Sequence, residues 1–274
     1  MRLGISTASF FPNLHTEESI REIASLGIDT CEVFFETRSQ YCDEYAKVLI
    51  DSINDAKKMV PNFKVHSMHS MTQQFEPDLF SMGSRARADG EKTYEEFLKV
   101  VEKAGVKYQT FHGAAMLKHG KGIVRKFDYD YLSSIVNHLC DMASEHNVKL
   151  CYENVHWCYF SFPDYFKNLK TLCPRLGSVL DIKQAMQSGY DYKEYLKVMG
   201  NSLETVHLCD YNNDGATAIP GRGNFDFVEL FKILLDMGFD GGVLMEVYSK
   251  DYKTSNDLLE GYNYLSECLD KAKK

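Results

Sequence analysis

The sequence has no apolar run approaching the roughly 20 residues that a membrane helix needs. Nothing in it therefore suggests insertion into a bilayer. Its opening residues, MRLGISTASFF, form too short and too polar a stretch for a secretory signal, so the expected location is the cytoplasm. Basic residues are in deficit: 31 Lys and Arg stand against 39 Asp and Glu, a formal net charge of −8. Proteins hold phosphate backbones chiefly through Lys and Arg, so no nucleic-acid partner is expected. No two of the eight cysteines form a CxxC pair, and several lie in apolar runs such as CEVFFE and LCYENV. That spacing fits reduced, half-buried thiols better than a disulfide framework or a thiolate zinc site. No linker, low-complexity tract or charge block divides the 274 residues, which are expected to form one domain over 1–274. A hydrophobic fraction of 44% is enough for a sizeable core.

A joint recurs along the chain. A helical segment ends at Gly or Asn, one apolar residue follows, and a short β-rich run begins: ASLGIDTCEVFF, VEKAGVKYQTFH, SEHNVKLCYENV and LDMGFDGGVLMEV. Gly and Asn tolerate the left-handed conformation that closes a helix, and the strand starts almost at once, as short αβ loops require. Strands are predicted at 2–6, 30–35, 63–69, 108–112, 149–153, 177–181, 204–209 and 242–246. Amphipathic helices are predicted at 16–26, 42–59, 85–104, 129–146, 163–172, 192–199, 227–237 and 256–272. Eight alternations of strand and helix indicate a parallel sheet. An open doubly wound sheet usually has five or six strands and often a Gly-rich phosphate turn after the first. Here the first strand runs into STASFF without GxGxxG. The expected fold is an α/β (β/α)8 TIM barrel.

In such a barrel all strand C-termini face one mouth. Read to their ends, the strands bring Glu36, His66, His69, His112, Glu153, Asp181, His207, Asp210 and Glu246 toward it. Any one of these has a plain alternative, as a helix cap or a satisfied core histidine. Glu153, Asp181 and Glu246 together are harder to dismiss, because gathered carboxylates repel and are costly to bury charged. A divalent cation resolves this, with His207 as a nitrogen ligand. The expected cofactor is one such ion: Mn²⁺, Mg²⁺, Co²⁺ or Zn²⁺.

ENV at the fifth strand, LDIKQA at the sixth, VHLCDYN at the seventh, PGRGNFDF beyond it and LMEVY at the eighth resemble the xylose isomerase-like TIM-barrel superfamily. That group includes sugar phosphate isomerases and epimerases, ketose 3-epimerases, inosose dehydratases and an AP-endonuclease branch. The resemblance implies that Glu153, Asp181, His207 and Glu246 hold the metal, and that Glu153 and Glu246 move protons as catalytic residues. Two departures set the sequence apart from three-metal endonucleases. Gln184 stands where they carry a histidine, and NNDGATAIPGRGNFDF lacks their Asp-x-His pair. His69 and His112 match superfamily histidines and are expected to bind substrate.

Three further residues are candidates for substrate binding. Arg222, in the PGRG loop, either clamps a hydroxyl or phosphate or is a surface charge. Lys183, two residues beyond Asp181, either polarises a carbonyl or pairs with a ligand carboxylate. Trp157, the sole Trp, either packs or joins Phe10 and Phe35 in an apolar face for sugar C–H groups. Asn154 is a candidate supporting group, and SMTQQFEPDLFSM a lid or interface segment. The function expected is a metal-dependent isomerase or epimerase of a small sugar or polyol, working through an enediolate, with self-association left open. The alternatives are an inosose dehydratase-like lyase, a metal phosphodiesterase and a non-catalytic sugar-binding barrel.

Overall fold

The computed structural model describes residues 1–71, 74–116 and 126–274. Eight parallel strands close into a barrel: β1 (Arg2–Ser6), β2 (Thr30–Phe35), β3 (Lys64–Ser70), β4 (Tyr108–Phe111), β5 (Lys149–Glu153), β6 (Gly177–Asp181), β7 (Leu203–Leu208) and β10 (Gly242–Met245). A two-residue antiparallel hairpin, β8 (Asp210–Tyr211) with β9 (Thr217–Ala218), follows β7. The barrel closes where Arg2–Ile5 pair in parallel with Gly242–Met245. Long helices surround it: α1 (Thr16–Ser25), α2 (Asp43–Met59), α4 (Ser84–Lys103), α5 (Tyr129–Glu145), α6 (Pro163–Leu172), α8 (Tyr192–Met199), α9 (Phe227–Asp236) and α10 (Ser255–Ala272). Two short ones, α3 (Glu76–Leu79) and α7 (Ile182–Ser188), lie on the loops after β3 and β6. Among the described residues no helix is long and apolar enough to cross a membrane.

The recurring joints have a common physical form. Gly27, Gly105, Asn147 and Gly238 all have positive φ, between 58° and 76°. The amide of the next residue reaches back five positions: Ile28 to Ile23 O, Val106 to Val101 O, Val148 to Ala143 O and Phe239 to Leu234 O. These bonds satisfy the last helix carbonyls and turn the chain directly into the next strand. Ile28, Val106 and Val148 are buried beside the barrel wall. The joint thus sets both the helix end and the strand register.

Strand alternation decides which side chains enter the barrel. On β2, Glu32 points inward and Phe35 outward, where Phe35 is fully buried against Tyr41, Tyr45 and Phe97. Phe10 is likewise buried, edge-on to Tyr252. Neither ring forms the apolar face expected of it. All eight cysteines are free thiols, and all but Cys42 are buried.

Candidate functional site

Four strands deliver the central cluster. His207, near the end of β7, is fully buried. Its Nδ1 lies 3.2 Å from Glu153 Oε1 at the end of β5 and 3.1 Å from Glu246 Oε2 just beyond β10. Asp181 closes β6, and ligand atoms of Glu153, Asp181 and His207 lie within 4.8 Å of one another. The four residues expected to hold a metal are therefore brought together at one mouth.

Asp181 serves two ends. Its Oδ1 accepts the Gln184 amide at 2.9 Å and so caps α7. Its Oδ2 faces Lys183 Nζ at 3.6 Å, and that ammonium is also 4.0 Å from Glu246 Oε1. Capping and cluster membership coexist because a carboxylate has two oxygens. Asn154 fixes the backbone here: its Nδ2 donates to Asp181 O at 2.9 Å, and its Oδ1 accepts Asp181 N at 2.8 Å. The Lys183 ammonium lies 4.7 Å from the centre of the Tyr248 ring.

His69 and His112 stand beside Glu153. Their Nε2 atoms are 2.6 Å apart, and His112 Nε2 is 3.2 Å from Glu153 Oε2. Behind His112 sits Glu76, fully buried on α3. It accepts Ser70 Oγ at 2.7 Å and the amides of His112 and Gly113 at 2.8 and 2.9 Å. Behind both His69 and His207 sits Glu32, also fully buried. His69 Nδ1 is 3.3 Å and His207 Nε2 3.0 Å from its Oε1. The His207 contact is close but is not aligned as a hydrogen bond, so it is a contact of charge. Neither glutamate was singled out by sequence. Each sits inside or beside an apolar stretch, CEVFFE and QFEPDLF, and an acid in such a setting is the signal that would have found it.

The electrostatics follow from burial opposed by close partners. Burial raises Asp181, to about 6, with Glu153 and Glu246 adding to the rise against the pull of Lys183. Burial would raise Glu153 too, but His207 and His112 outweigh it and hold that carboxyl low. Burial would lower His207, yet Glu32, Glu246 and Glu153 push it well up. His112, where burial is outweighed by Glu76 and Glu153, rises to about 10. Its charged ring can donate from Nε2 to the bare Nε2 of His69, which explains their close approach. Lys183 stays charged because Asp181 and Glu246 overcome its burial.

The donor set fits a divalent cation. Glu153 Oε2 and Glu246 Oε2 are buried oxygens with no aligned hydrogen bond, each met only off-axis by an imidazole nitrogen, His112 at 3.2 Å and His207 at 3.1 Å, in a cluster already rich in carboxylate. Such orphaned oxygens are expensive unless a cation meets them. Oxygen-rich ligation with one imidazole suits the ions named above. Two further groups among the described residues can hold an ion: His69, His112 and Glu153, which shares Glu153 with the first, and Glu32, His69 and Glu246, which brings in Glu246.

Several expected site residues lie elsewhere. His66 belongs to the lower half of β3, beside a register shift, and its Nε2 meets Glu204 O and Thr205 Oγ1 at 3.1 and 3.0 Å. It lines a cavity of about 910 Å³ at the N-terminal end of the barrel, away from the cluster. Glu36 caps α1, accepting Thr16 N at 2.6 Å and Thr16 Oγ1 at 3.0 Å. Asp210 gathers the amides of Tyr211, Gly221, Gly223 and Phe225, so it shapes the PGRG loop. A Cβ on Gly223 would fall 2.4 Å from Asp210 Oδ1, which is why the loop needs glycine there. Arg222, expected among the substrate contacts, has its guanidinium engaged by Asp257 and Glu260 of α10 at 2.6 and 2.8 Å. Of its two sequence readings, the surface charge describes that arrangement. Trp157 is partly buried on the loop after β5. Phe34, half-buried on the inward face of β2, supplies an aromatic contact edge-on to His69 at 5.3 Å. Within SMTQQFEPDLFSM, Phe75, Glu76 and Leu79 are buried, while residues 72 and 73 lie outside the described residues.

Residues 20–268 match the family model described as xylose isomerase-like TIM barrel. An inosose dehydratase of Clostridium perfringens is 25% identical over 171 residues, 54% of this chain and 57% of that protein. The chain thus spans little more than half the length of that relative. Among solved structures, D-psicose 3-epimerase from Clostridium cellulolyticum H10, crystallised with D-tagatose, superposes with a TM-score of 0.78 at 19% identity, covering 100% of this chain and 98% of that one. The IOLI protein with a bound zinc atom superposes with a TM-score of 0.79 at 17% identity, covering 99% of each chain. At these identities the structural likeness is one of fold.

Proposed function

The chain belongs to the xylose isomerase-like TIM-barrel family, and from that premise we propose that it is a metal-dependent isomerase or epimerase of a small polyhydroxylated carbonyl compound. The observation that carries this reading is the placement of Glu153 and Glu246, which approach His207 Nδ1 from two strands on either side of β6 and β7. Two carboxylates flanking one cation position are what proton removal and return on opposite faces of a carbon require.

Glu153, Asp181, His207 and Glu246 would hold a divalent cation, whose charge would acidify the proton next to a carbonyl. The protein's own groups do the rest. One glutamate takes the proton, and the other returns it to the opposite face of the enediolate. The Lys183 ammonium, fixed between Asp181, Glu246 and the Tyr248 ring, steadies the oxygen on which charge develops. His69 and His112, beside Glu153, are the groups placed to meet substrate hydroxyls, which would have to replace the contact between their Nε2 atoms. Trp157 offers an apolar face to sugar C–H groups. The substrate is a sugar or polyol-derived ketone and the site of action the cytoplasm.

A dehydratase is the second reading, favoured by the sequence match to an inosose dehydratase. It uses the same cation and a single glutamate to expel water. Incubating the protein with a panel of ketoses and inososes in D₂O, with each of the four metals in turn, separates the two. Epimerisation gives a new epimer deuterated at one carbon. Dehydration gives an unsaturated product absorbing in the ultraviolet. No turnover with any metal would count against both and favour a non-catalytic sugar-binding barrel.

A further inference from the structure

Glu32 is a fully buried acid inside the barrel, and its surroundings are unusual. Ser6 Oγ and the Nδ1 of His69 meet its Oε1 at 3.3 Å each, and His207 Nε2 meets the same oxygen at 3.0 Å. Ser67 Oγ and Thr110 Oγ1 donate to its Oε2 at 2.6 and 2.8 Å. These partners come from β1, β3, β4 and β7, so one carboxylate ties β2 to four other strands below the cluster. An ionised carboxylate only accepts. A bare ring nitrogen 3.0–3.3 Å from it would set lone pair against lone pair, so the nitrogen facing Glu32 must carry a proton.

We propose that Glu32 is a positioning residue that dictates which nitrogen of each histidine is bare: Nε2 of His69, and, once a cation sits among the carboxylates, Nδ1 of His207. Both bare nitrogens then face the mouth. For His207 it is the one beside Glu153 and Glu246, which those two carboxylates keep protonated until a cation takes the proton's place. For His69 it is the one 2.6 Å from His112 Nε2. Because one carboxylate governs both rings, a change there disturbs two sides of the site together. A ligand histidine backed by a carboxylate is more basic and better oriented than one left free. Glu32 is not among the four residues proposed to hold the cation; it acts through the two rings.

The test combines a ring-proton measurement with a metal titration, and only the second rests on the function proposed above. Long-range ¹H–¹⁵N spectra of wild-type protein should show a proton on His69 Nδ1 with and without zinc, and on His207 Nε2 in the zinc form. Glu32→Gln, nearly the same shape but uncharged and able to donate, should lower zinc affinity about 10–100-fold, measured by competition with a coloured chelator. Its histidine spectra should lose the single-tautomer pattern while far-ultraviolet circular dichroism stays as in wild type. A bare His69 Nδ1 in wild type, or a folded Glu32→Gln protein with unchanged zinc affinity and unchanged ring protons, overturns the proposal. If the variant does not fold, the wild-type spectra still decide. If wild type takes up no zinc, the metal-dependent function fails, and the metal-free His69 spectrum still judges Glu32.

Discussion

Replacing Glu246 by Gln tests whether two bases share the work. Glu246 suits the experiment because its side chain is 17% exposed and reaches the cluster from the rim. The amide keeps one oxygen toward His207 or Lys183, so the structural disturbance is small. What disappears is a proton acceptor, and loss of a general base lowers the rate about 10²–10⁴-fold. At about 1.4 kcal/mol per factor of ten this is roughly 3–5 kcal/mol of transition-state stabilisation. The partner substitution, Glu153→Gln, sits deeper and faces both His207 and His112. It also weakens a charged hydrogen bond to His207, worth about 1.5–3 kcal/mol, and a charge contact with His112, so its fold and metal content need parallel checks. Net epimerisation needs both carboxylates and should stop in either variant. Exchange at one face needs only the base that remains. NMR of each variant in D₂O, on a substrate found in the ketose panel, should show deuterium entering one epimer in Glu246→Gln and the other in Glu153→Gln. If both metal-loaded variants label the same epimer equally, the two-base reasoning is wrong and a single-base or dehydratase route replaces it.

Three other outcomes follow from the geometry. Gly113→Ala should destabilise the fold by about 2–4 kcal/mol in urea unfolding, because Gly113 has φ +74° and a Cβ there would lie 1.9 Å from the Tyr152 hydroxyl; an unchanged midpoint would contradict the packing described. Arg222→Ala should leave kcat/KM and KM near wild type, since both salt bridges of Arg222 run to α10; a large rise in KM would restore the substrate-clamp reading. His146 lies between Glu102 and Glu95, and although burial opposes it, their hydrogen bonds raise its pKa above 6.5. A raised histidine stabilises the fold fully below about pH 6.5 and loses that contribution as pH climbs through its folded value. The loss should be modest, as for partly exposed pairs generally, and absent in His146→Gln; a stability profile unaltered by the substitution would refute the assignment.

Local punctuation made most of the barrel legible. β1, β2, β5 and β6 begin and end where the sequence places them, β3 and β7 shift by one residue, and β4 and β10 end one residue early. The Gly and Asn joints explain this, since a helix closed by a left-handed residue leaves its strand little freedom to slide. The convergence of Glu153, Asp181, His207 and Glu246 was legible for the same reason: once strand ends are fixed, barrel closure does the gathering. What escaped depended on depth or on exceptions to alternation. His66 shares a strand with His69, yet three residues of rise separate the two, enough to leave His66 toward the lower end of the barrel. α7 was missed because its N-cap is Asp181, the last residue of β6, with no loop between to announce it. Glu32 and Glu76 escaped because hydropathy absorbs a single acid into the apolar run around it, and only the folded barrel reveals which histidines each one backs.

The central claim is that the carboxylate and imidazole cluster holds one divalent cation. Metal analysis of protein purified without chelator, wild type beside Asp181→Ala, tests it most directly. Asp181 is chosen because Asn154 fixes its backbone and α7 can be recapped by solvent, so the fold should survive its truncation. The account predicts close to one equivalent of a divalent metal in wild type and almost none in the variant. Wild-type protein that stays metal-free through purification and through titration with Mn²⁺, Mg²⁺, Co²⁺ and Zn²⁺ would contradict it.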